Sequence, residues 1–187
     1  MQVLTSIVVA MLVDNEILDY NEKIFGIWPE FGRNGKSEGT VGDLMRHELG
    51  LPLLSQPLHP HDFTLANIKS NMFGELLENE KYAYPPGERR DYHVITRGMI
   101  ANEIVRRVDP KGRTIGELLR YHISEPLGAR AFIGLKEEEI KEAVNVDYLS
   151  PIKFMMRSMF SREESKFPVS MGRMMSKTAS MLWNGIL

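Results

Sequence analysis

One stretch, residues 85–109, constrains the fold of this chain most because it joins a rigid turn to an amphipathic helix. Pro85 and Pro86 cannot sit inside a helix, and Gly87 frees the backbone directly after them. Glu103 and Arg107 lie four residues apart, on the side away from the apolar stripe, where they can pair. Apolar residues recur at helical spacing and predict a single stripe made of Ile95, Met99, Ile100, Ile104 and Val108.

Tyr92 stands where the turn meets the predicted start of the helix. Such a junction would hold the phenol in a fixed place near the positive end of the helix dipole. The local pattern alone favours an ordinary half-buried tyrosine whose hydroxyl bonds to the backbone, since a single residue is a weak indicator of a site.

Residues 3–16 are almost continuously apolar and predict a buried helix at the centre of its domain. The run is far shorter than the roughly 20 residues of a membrane span. No basic residue precedes it and no small-residue cleavage site follows, so we interpret it as neither a signal peptide nor an anchor and favour an intracellular location. Because the helix opens without a visible cap, we expect that sequence is missing upstream of Met1.

Other helices are predicted from caps and periodicity. Thr40 with Asp43 three residues on marks a helix start, and Gly50 ends that helix. The acidic residues 137–139 begin a solvated helix. Residues 63–79 predict one amphipathic helix, whose inner side is formed by Leu65, Ile68, Met72, Leu76 and Leu77.

Composition excludes several classes of function. The 187 residues suffice for one domain with a sizeable core, and 43% hydrophobic with 26% charged residues is ordinary for a globular protein. The net charge of -2 argues against a broad nucleic-acid surface. Cysteine is absent, which excludes disulfides and thiolate metal sites. His59 and His61 lie in a Pro-rich loop without a third ligand, so we expect no metal and no cofactor.

Three ordered segments resemble those of a known family. The first runs from the apolar helix of residues 3–14 through Trp28-Pro29-Glu30-Phe31 to the stretch 40–51, which reads Thr-Val-Gly-Asp-Leu-Met-Arg-His-Glu-Leu-Gly-Leu. The second is Pro-Pro-Gly followed by residues 92–98 and 103–109, and the third joins residues 114–119 to the Pro126-Leu127-Gly128 turn. Together, residues 3–135 resemble the serine β-lactamase-related family of class C β-lactamases, penicillin-binding-protein-like carboxylesterases and animal β-lactamase-like proteins.

The resemblance implies an α+β fold of the β-lactamase/transpeptidase type, which has a five-stranded antiparallel sheet flanked by helices and an inserted helical subdomain. We expect residues 1–187 to form one partial domain, truncated at both ends, that covers mostly the helical part and has little sheet. Residues 136–187 form a Met-rich helical tail, which we interpret as ordinary helix packing or a lid.

The resemblance also implies acyl transfer through a serine ester. In the family, a Ser-x-x-Lys pair supplies the nucleophile and a cation, and a tyrosine at the position of Tyr92 acts as general base. Gln2 falls on the lysine, and the serine would precede Met1. A neutral amide cannot hold a phenolate as an ammonium does, so we expect the chain to be inactive or nearly so.

Two later motifs do not supply the missing groups. Ser150 and Lys153 spell Ser-x-x-Lys but follow Tyr92, whereas the family places that motif first; Lys177-Thr178-Ala179 lacks the final glycine of Lys-Thr-Gly. We interpret both as coincidences. Val94 stands where class C β-lactamases have an asparagine that contacts the substrate amide, which favours ester-like substrates, and His93 is interpreted as a polar residue at the helix start.

Two hypotheses on function remain. One is a β-lactamase-related, esterase-like hydrolase domain that has lost turnover, whose family acts on small ester or amide substrates. The alternative is a non-catalytic protein-interaction module on the same fold, using the Met-rich tail or the groove beside Tyr92. The sequence assigns neither a binding residue nor an oligomeric state.

Overall fold

The computed structural model describes residues 2–141 and 143, and the chain divides into two units, Met1–Leu135 and Lys136–Leu187. In the first unit the described residues form seven α-helices, two 3₁₀ segments and one π-helical turn. The α-helices are α1 (Gln2–Asp14), α2 (Ile24–Ile27), α3 (Val41–Met45), α4 (Leu65–Lys69), α5 (Met72–Asn79), α6 (Thr96–Val108) and α7 (Ile115–Leu119). The 3₁₀ segments are Pro29–Gly35 and Pro60–Phe63, and the π-helical turn is Arg120–Ser124.

The described part contains an isolated antiparallel bridge, Lys23 to Thr40, but no β-strand. The sequence predicts a helix-rich fold with little sheet, and this part of the chain is mostly helical. The second unit contributes α8 (Glu137–Ile140), which confirms the helix predicted from the acidic run. The Met-rich segment beyond it lies outside the described residues. None of the described helices is long and apolar enough to cross a membrane.

The core of the first unit lies between α1, α6 and α7 and extends to the Trp28 segment. Trp28 and Phe31 are fully buried and pack with their ring centroids 5.0 Å apart. From Pro29 onward this segment forms a 3₁₀ helix. The largest aliphatic side chains of this core are Ile24, Leu44, Leu49, Leu51, Leu77, Ile100, Ile104, Leu118 and Leu119.

The sequence predicts a buried helix for this segment, and the structure buries one side of α1 only. Val8, Val9 and Leu12 are at most 5% exposed, whereas Val3 is 72% and Ile7 43% exposed. The spacing of the buried residues follows one helical face. The nearly uniform hydrophobicity of this helix could not show which face would be covered.

The single helix predicted for residues 63–79 is wrong, because the chain forms α4 and α5 with a break between them. Asn71 adopts a left-handed conformation at φ 68°, which an α-helix cannot contain. Gly74 permits the break: a Cβ atom there would lie 2.1 Å from Asn71 Oδ1. Leu65, predicted to face inward, is 52% exposed, while Leu77 is fully buried.

Helix α6 confirms part of the predicted stripe and shifts its start. Met99, Ile100 and Ile104 are buried, but the helix begins at Thr96, and Ile95 is 51% exposed. The predicted pair forms, with 2.7 Å between Arg107 Nη1 and Glu103 Oε2. It is not a surface pair, because Glu103 is fully buried.

Local capping is the best predicted feature of the chain. The Thr40 hydroxyl accepts a hydrogen bond from the Asp43 N–H, while the Asp43 carboxylate accepts one from the Thr40 N–H, as in a capping box. Thr114 and Glu117 form the same arrangement at α7. Helix α3 ends at Met45, earlier than the Gly50 stop predicted from sequence.

Candidate active site

Tyr92 lies in a loop ahead of α6, not at the helix start that the sequence predicts. The first helical residue is Thr96, and Tyr92 is 51% exposed. The tyrosine ring packs against the ring of His47, with 4.9 Å between centroids and an interplanar angle of 52°. Its backbone carbonyl accepts a hydrogen bond from the Val94 N–H at 3.1 Å, so the loop turns tightly behind the phenol.

His93 fixes this loop from below, as a fully buried residue and not as the polar helix-start residue predicted. Its Nδ1 lies 2.6 Å from the Asp91 carbonyl, and its Nε2 accepts the Leu51 N–H at 3.0 Å. These two bonds assign the proton to Nδ1. The Thr96 hydroxyl adds a bond to the Leu51 carbonyl at 2.6 Å. Burial lowers the pKa of His93, which keeps the ring neutral.

His47 joins the other side of the loop. Its Nδ1 accepts the His93 N–H at 3.1 Å, and its carbonyl accepts the Asp91 N–H. Its φ of 65° is left-handed, a conformation for which histidine is more often selected than most residues. Burial, followed by the charge of Arg97, lowers the pKa of His47 to about 4. The imidazole beside Tyr92 is therefore neutral at pH 7.

Gln2 reaches the same loop from the first turn of α1. Its Nε2 donates to the carbonyl of His93 at 3.2 Å and to that of Val94 at 3.0 Å, across more than 90 residues of sequence. The structure thus brings together Gln2 and the segment that carries Tyr92. The side-chain nitrogen of Gln2 is thus engaged by two backbone carbonyls. Its side-chain oxygen accepts a hydrogen bond from the Arg97 guanidinium at 3.3 Å.

Arg97 is the residue of this region that the sequence reasoning missed. It is 5% exposed, and its Nη2 donates to Ser6 Oγ at 2.6 Å, while its Nη1 is 3.3 Å from both the backbone and side-chain oxygens of Gln2. Within the described residues no carboxylate forms an ion pair with it, and its Nε has no hydrogen-bond partner. Burial lowers the pKa of Arg97, and Tyr92 acts in the opposite direction.

No local signal marks Arg97 in the sequence, because it lies one position after the start of an amphipathic helix, where an exposed arginine is ordinary. Ser6 supplies the α1 hydroxyl to which Arg97 donates. It donates to the Gln2 carbonyl at 3.0 Å and accepts from Arg97, so both of its hydrogen-bonding roles are occupied. Ser150, Lys153, Lys177 and Thr178 lie outside the described residues.

A second polar region lies at the other end of α6. Glu78 accepts from Trp28 Nε1 at 2.9 Å and from Arg33 at 3.1 Å, and the Arg107 guanidinium lies 4.0 Å above the Trp28 ring. A cavity of about 500 Å³ opens here. It is lined by charged and amide side chains: Glu30, Arg33, Asn71, Glu75, Glu78, Asn79 and Arg107.

Lys36 bonds to the backbone of Glu78, one of the residues that line this cavity. It is fully buried, and its ammonium donates to the carbonyls of Arg33 at 2.8 Å, Glu78 at 2.8 Å and Glu80 at 2.5 Å. Burial lowers the pKa of Lys36 to about 8, against the charges of Glu80 and Glu78. The ammonium is protonated at pH 7 and satisfied by carbonyls. Across the described residues no group of three or more His, Asp or Glu side chains could hold a metal ion.

Comparison with known proteins places this arrangement in context. A family model described as Beta-lactamase matches residues 3–152. The Esterase/beta-lactamase LipL of Mycobacterium tuberculosis is 31% identical over 128 residues, which cover 66% of this chain and 27% of that protein.

Solved structures agree in fold. A penicillin-binding protein homolog from Caulobacter crescentus matches with a TM-score of 0.68 and 28% identity over 90% of this chain. A family VIII carboxylesterase (TM-score 0.66, 27% identity, 75% of this chain) and EstA from Arthrobacter nitroguajacolicus Rue61a (0.66, 28%, 80%) match similarly. The chain spans 46%, 37% and 41% of those three structures, respectively.

Proposed function

The chain belongs to the Beta-lactamase family. From that premise we propose that it is an esterase-like acyl-transfer domain that retains the position of the catalytic tyrosine, at Tyr92, but does not turn over substrate. The observation that carries this proposal is the hydrogen bonding of Gln2. Gln2 occupies the first turn of α1 and binds the loop of Tyr92 through two backbone carbonyls. An amide committed to backbone cannot donate or accept the proton of an attacking hydroxyl.

Tyr92 is the general-base position in this proposal. Its exposure leaves the phenol open to a ligand, and the rigid His47 and His93 contacts hold it in place. The only charge brought near it among the described residues of α1 and α6 is the guanidinium of Arg97, which is bonded to Gln2 and Ser6. A guanidinium stays protonated at neutral pH, so Arg97 positions its neighbours and does not shuttle protons.

The substrate class follows from the relatives and from Val94. LipL is described as an esterase and β-lactamase, and one matched structure is a carboxylesterase. Val94 offers an apolar side chain, 43% exposed, where an amide-recognising asparagine would stand. This favours the ester class for ligands of the site.

The test is hydrolysis of p-nitrophenyl butyrate by the purified 187-residue chain. We expect no release of p-nitrophenol above the rate without protein. Turnover that a serine-directed fluorophosphonate abolishes would overturn the proposal, and Tyr92→Phe is the matched variant that tells site turnover from a contaminating esterase. A contaminant would leave the Tyr92→Phe preparation as active as the unmodified one.

The alternative, an interaction module, is favoured by one observation. Val3 and Ile7 of α1 are 72% and 43% exposed, an apolar face on an otherwise core helix. Sedimentation velocity discriminates the two. A stable, monodisperse and cooperatively folded chain supports the module, whereas an aggregating or molten chain argues against it.

A further inference from the structure

We propose that the cavity between the 3₁₀ segment Pro29–Gly35, α5 and the end of α6 binds a basic amino acid, a ligand with two ammonium groups and one carboxylate, such as lysine. Arg107 lines the cavity near the end of α6, whereas Tyr92 precedes the start of that helix, which is about 20 Å long at 1.5 Å per residue. The site therefore does not depend on the proposed function, and ligand binding there can be measured whether or not the chain hydrolyses esters.

The charged side chains that line the cavity do not balance. Three are carboxylates and two are guanidiniums, which gives a net charge of -1: Glu30, Glu75, Glu78, Arg33 and Arg107. Behind them, Arg106 pairs with Glu103 and Lys36 lies in the field of Glu80, so the next layer adds no net charge. A ligand with a net charge of +1 would complete the balance. The cavity volume of about 500 Å³ is within the roughly 300–1,000 Å³ typical of small-molecule sites.

The deepest charged groups of the cavity already have partners in the protein. Glu78 is buried, and its two carboxylate oxygens accept hydrogen bonds at 2.9 Å from Trp28 and at 3.1 Å from Arg33. Arg107 donates to the buried carboxylate of Glu103 at 2.7 Å. These bonds hold the shape of the cavity, and they leave its recognition of a ligand to the remaining groups.

The remaining groups include both acceptors and donors. Among the described residues, neither Glu30 of the 3₁₀ segment nor Glu75 of α5 uses its carboxylate in a hydrogen bond or an ion pair. The amide nitrogen of Asn71 and the Nε and Nη2 atoms of Arg33 likewise have no acceptor within that part of the chain. The two carboxylates suit two ammonium groups, and the donors suit one carboxylate. An amino acid with a basic side chain carries all three groups.

Two other classes of polar ligand fit the cavity less well. In the part of the chain that the structure describes, no set of three or more His, Asp or Glu side chains could hold a metal ion. The ring of Trp28 is fully buried, and the Arg107 guanidinium covers it at 4.0 Å, so the ring offers no face on which a sugar could stack. Recognition therefore depends on charge, through charge-assisted hydrogen bonds.

The experiment is a titration of the full chain with L-lysine, followed by the indole N–H signal of Trp28 in two-dimensional NMR at pH 7 and constant ionic strength. Trp28 reports on the cavity because its Nε1 donates to Glu78, which lines it. The chain has two tryptophans, and Trp183→Phe identifies which signal belongs to Trp28. We expect a saturable shift of that signal.

Three analogues each lack one charged group of the ligand. Cadaverine lacks the carboxylate, 6-aminohexanoate lacks the α-ammonium and norleucine lacks the side-chain ammonium. We expect lysine to bind about threefold or more tightly than each of them, since each analogue loses one charge-assisted contact with an exposed partner.

Variants of the protein test the same contacts from the other side. Glu30→Gln and Glu75→Gln should each weaken lysine about threefold or more. Arg33→Gln should weaken lysine but not cadaverine, because cadaverine has no carboxylate for Arg33 to bind. Glu88→Gln is the matched control: it removes an exposed carboxylate from the Pro-Pro-Gly turn, changes the net charge equally and should leave binding unchanged. Far-UV circular dichroism checks that each variant is folded.

The absence of a saturable shift of the Trp28 signal would overturn the inference. So would an analogue that binds as tightly as lysine, because the ligand would then need only part of its charge. Equal weakening by Glu88→Gln and Glu75→Gln would also overturn it, since lysine would then respond to the charge of the whole protein and not to this cavity.

Discussion

Helix α6 carries two arginines with opposite surroundings. Arg107, near its end, bonds to Glu103 at 2.7 Å and to Asn71 at 2.8 Å, lies 3.9 Å from Glu78 and covers the Trp28 ring at 4.0 Å. Arg97, near its start, is more deeply buried and meets neutral groups only, as far as the described residues show. Both have buried stems, so burial alone does not separate them. The presence or absence of a partner charge does.

The largest effect on stability should come from breaking the ion pairs near the C-terminal end of α6. Glu103→Gln removes the fully buried carboxylate that pairs with Arg106 and Arg107, and we expect it to lower the free energy of unfolding by about 3–5 kcal/mol. Urea denaturation measures this. Lys69→Gln, which removes an exposed pair with Glu117, is the control and should cost less than about 1 kcal/mol. A loss below that level for Glu103→Gln would erase the contrast.

A direct pair of variants compares the two arginines. Arg107→Gln should lower the free energy of unfolding by about 2–3 kcal/mol, because Glu78 and Glu103 lose a partner. Arg97→Gln should change it by less than about 1 kcal/mol, since no carboxylate of the described chain is left unpaired and the new amide can still bond to Ser6 or Gln2. Equal losses measured by urea denaturation would mean that both arginines are structural.

The loss of stability in acid should depend on His47, which packs beside Tyr92. His47, with its pKa lowered from 6.5 to about 4, binds fewer protons in the folded than in the unfolded chain between those values. Stability is therefore complete above about pH 6.5 and falls as the pH drops toward 4, by roughly 2 kcal/mol after allowing for solvent screening. His93 acts in the same direction.

His47→Asn tests this assignment, because asparagine tolerates the left-handed backbone but does not titrate. Chemical denaturation across that pH range should give a flatter dependence for the variant. An unchanged slope would place the acid sensitivity elsewhere in the chain.

The smallest effect should be the same at the starts of two helices. Thr40→Ala ahead of α3 and Thr114→Ala ahead of α7 each remove a capping box. Each should lower the free energy of unfolding by about 1 kcal/mol. Thermal unfolding measures the two side by side. Clearly different losses would show that a cap depends on the region around it and not on local chemistry.

The features that sequence predicts well here are local. Thr40 and Asp43 are three residues apart, and their chemistry is complete within one helical turn. The break at Asn71 was missed because its left-handed turn interrupts an apolar pattern that continues smoothly across it. The same periodicity placed Ile95 inside α6, although the helix starts one residue later and leaves Ile95 exposed.

The site was predictable only in part, for a similar reason. The motif resemblance supplied Tyr92 and Gln2 as site positions, and the structure places Gln2 against the Tyr92 loop; the catalytic role of Tyr92 stays a prediction. Arg97 could not be found from sequence, because its burial depends on α1, which lies more than 90 residues earlier. Whether an arginine is solvated or enclosed is decided by contacts of that range.

Lys36 carries a consequence for substitution at a position that looks unremarkable in the sequence. Three carbonyls from two segments converge on its single ammonium, so the group acts as a spherical donor at the close of α5. A guanidinium spreads its donors over a flat fork and cannot point three of them at one centre. Replacing Lys36 with arginine, a change usually regarded as conservative, would therefore break hydrogen bonds to the carbonyls at the end of α5 while preserving the charge.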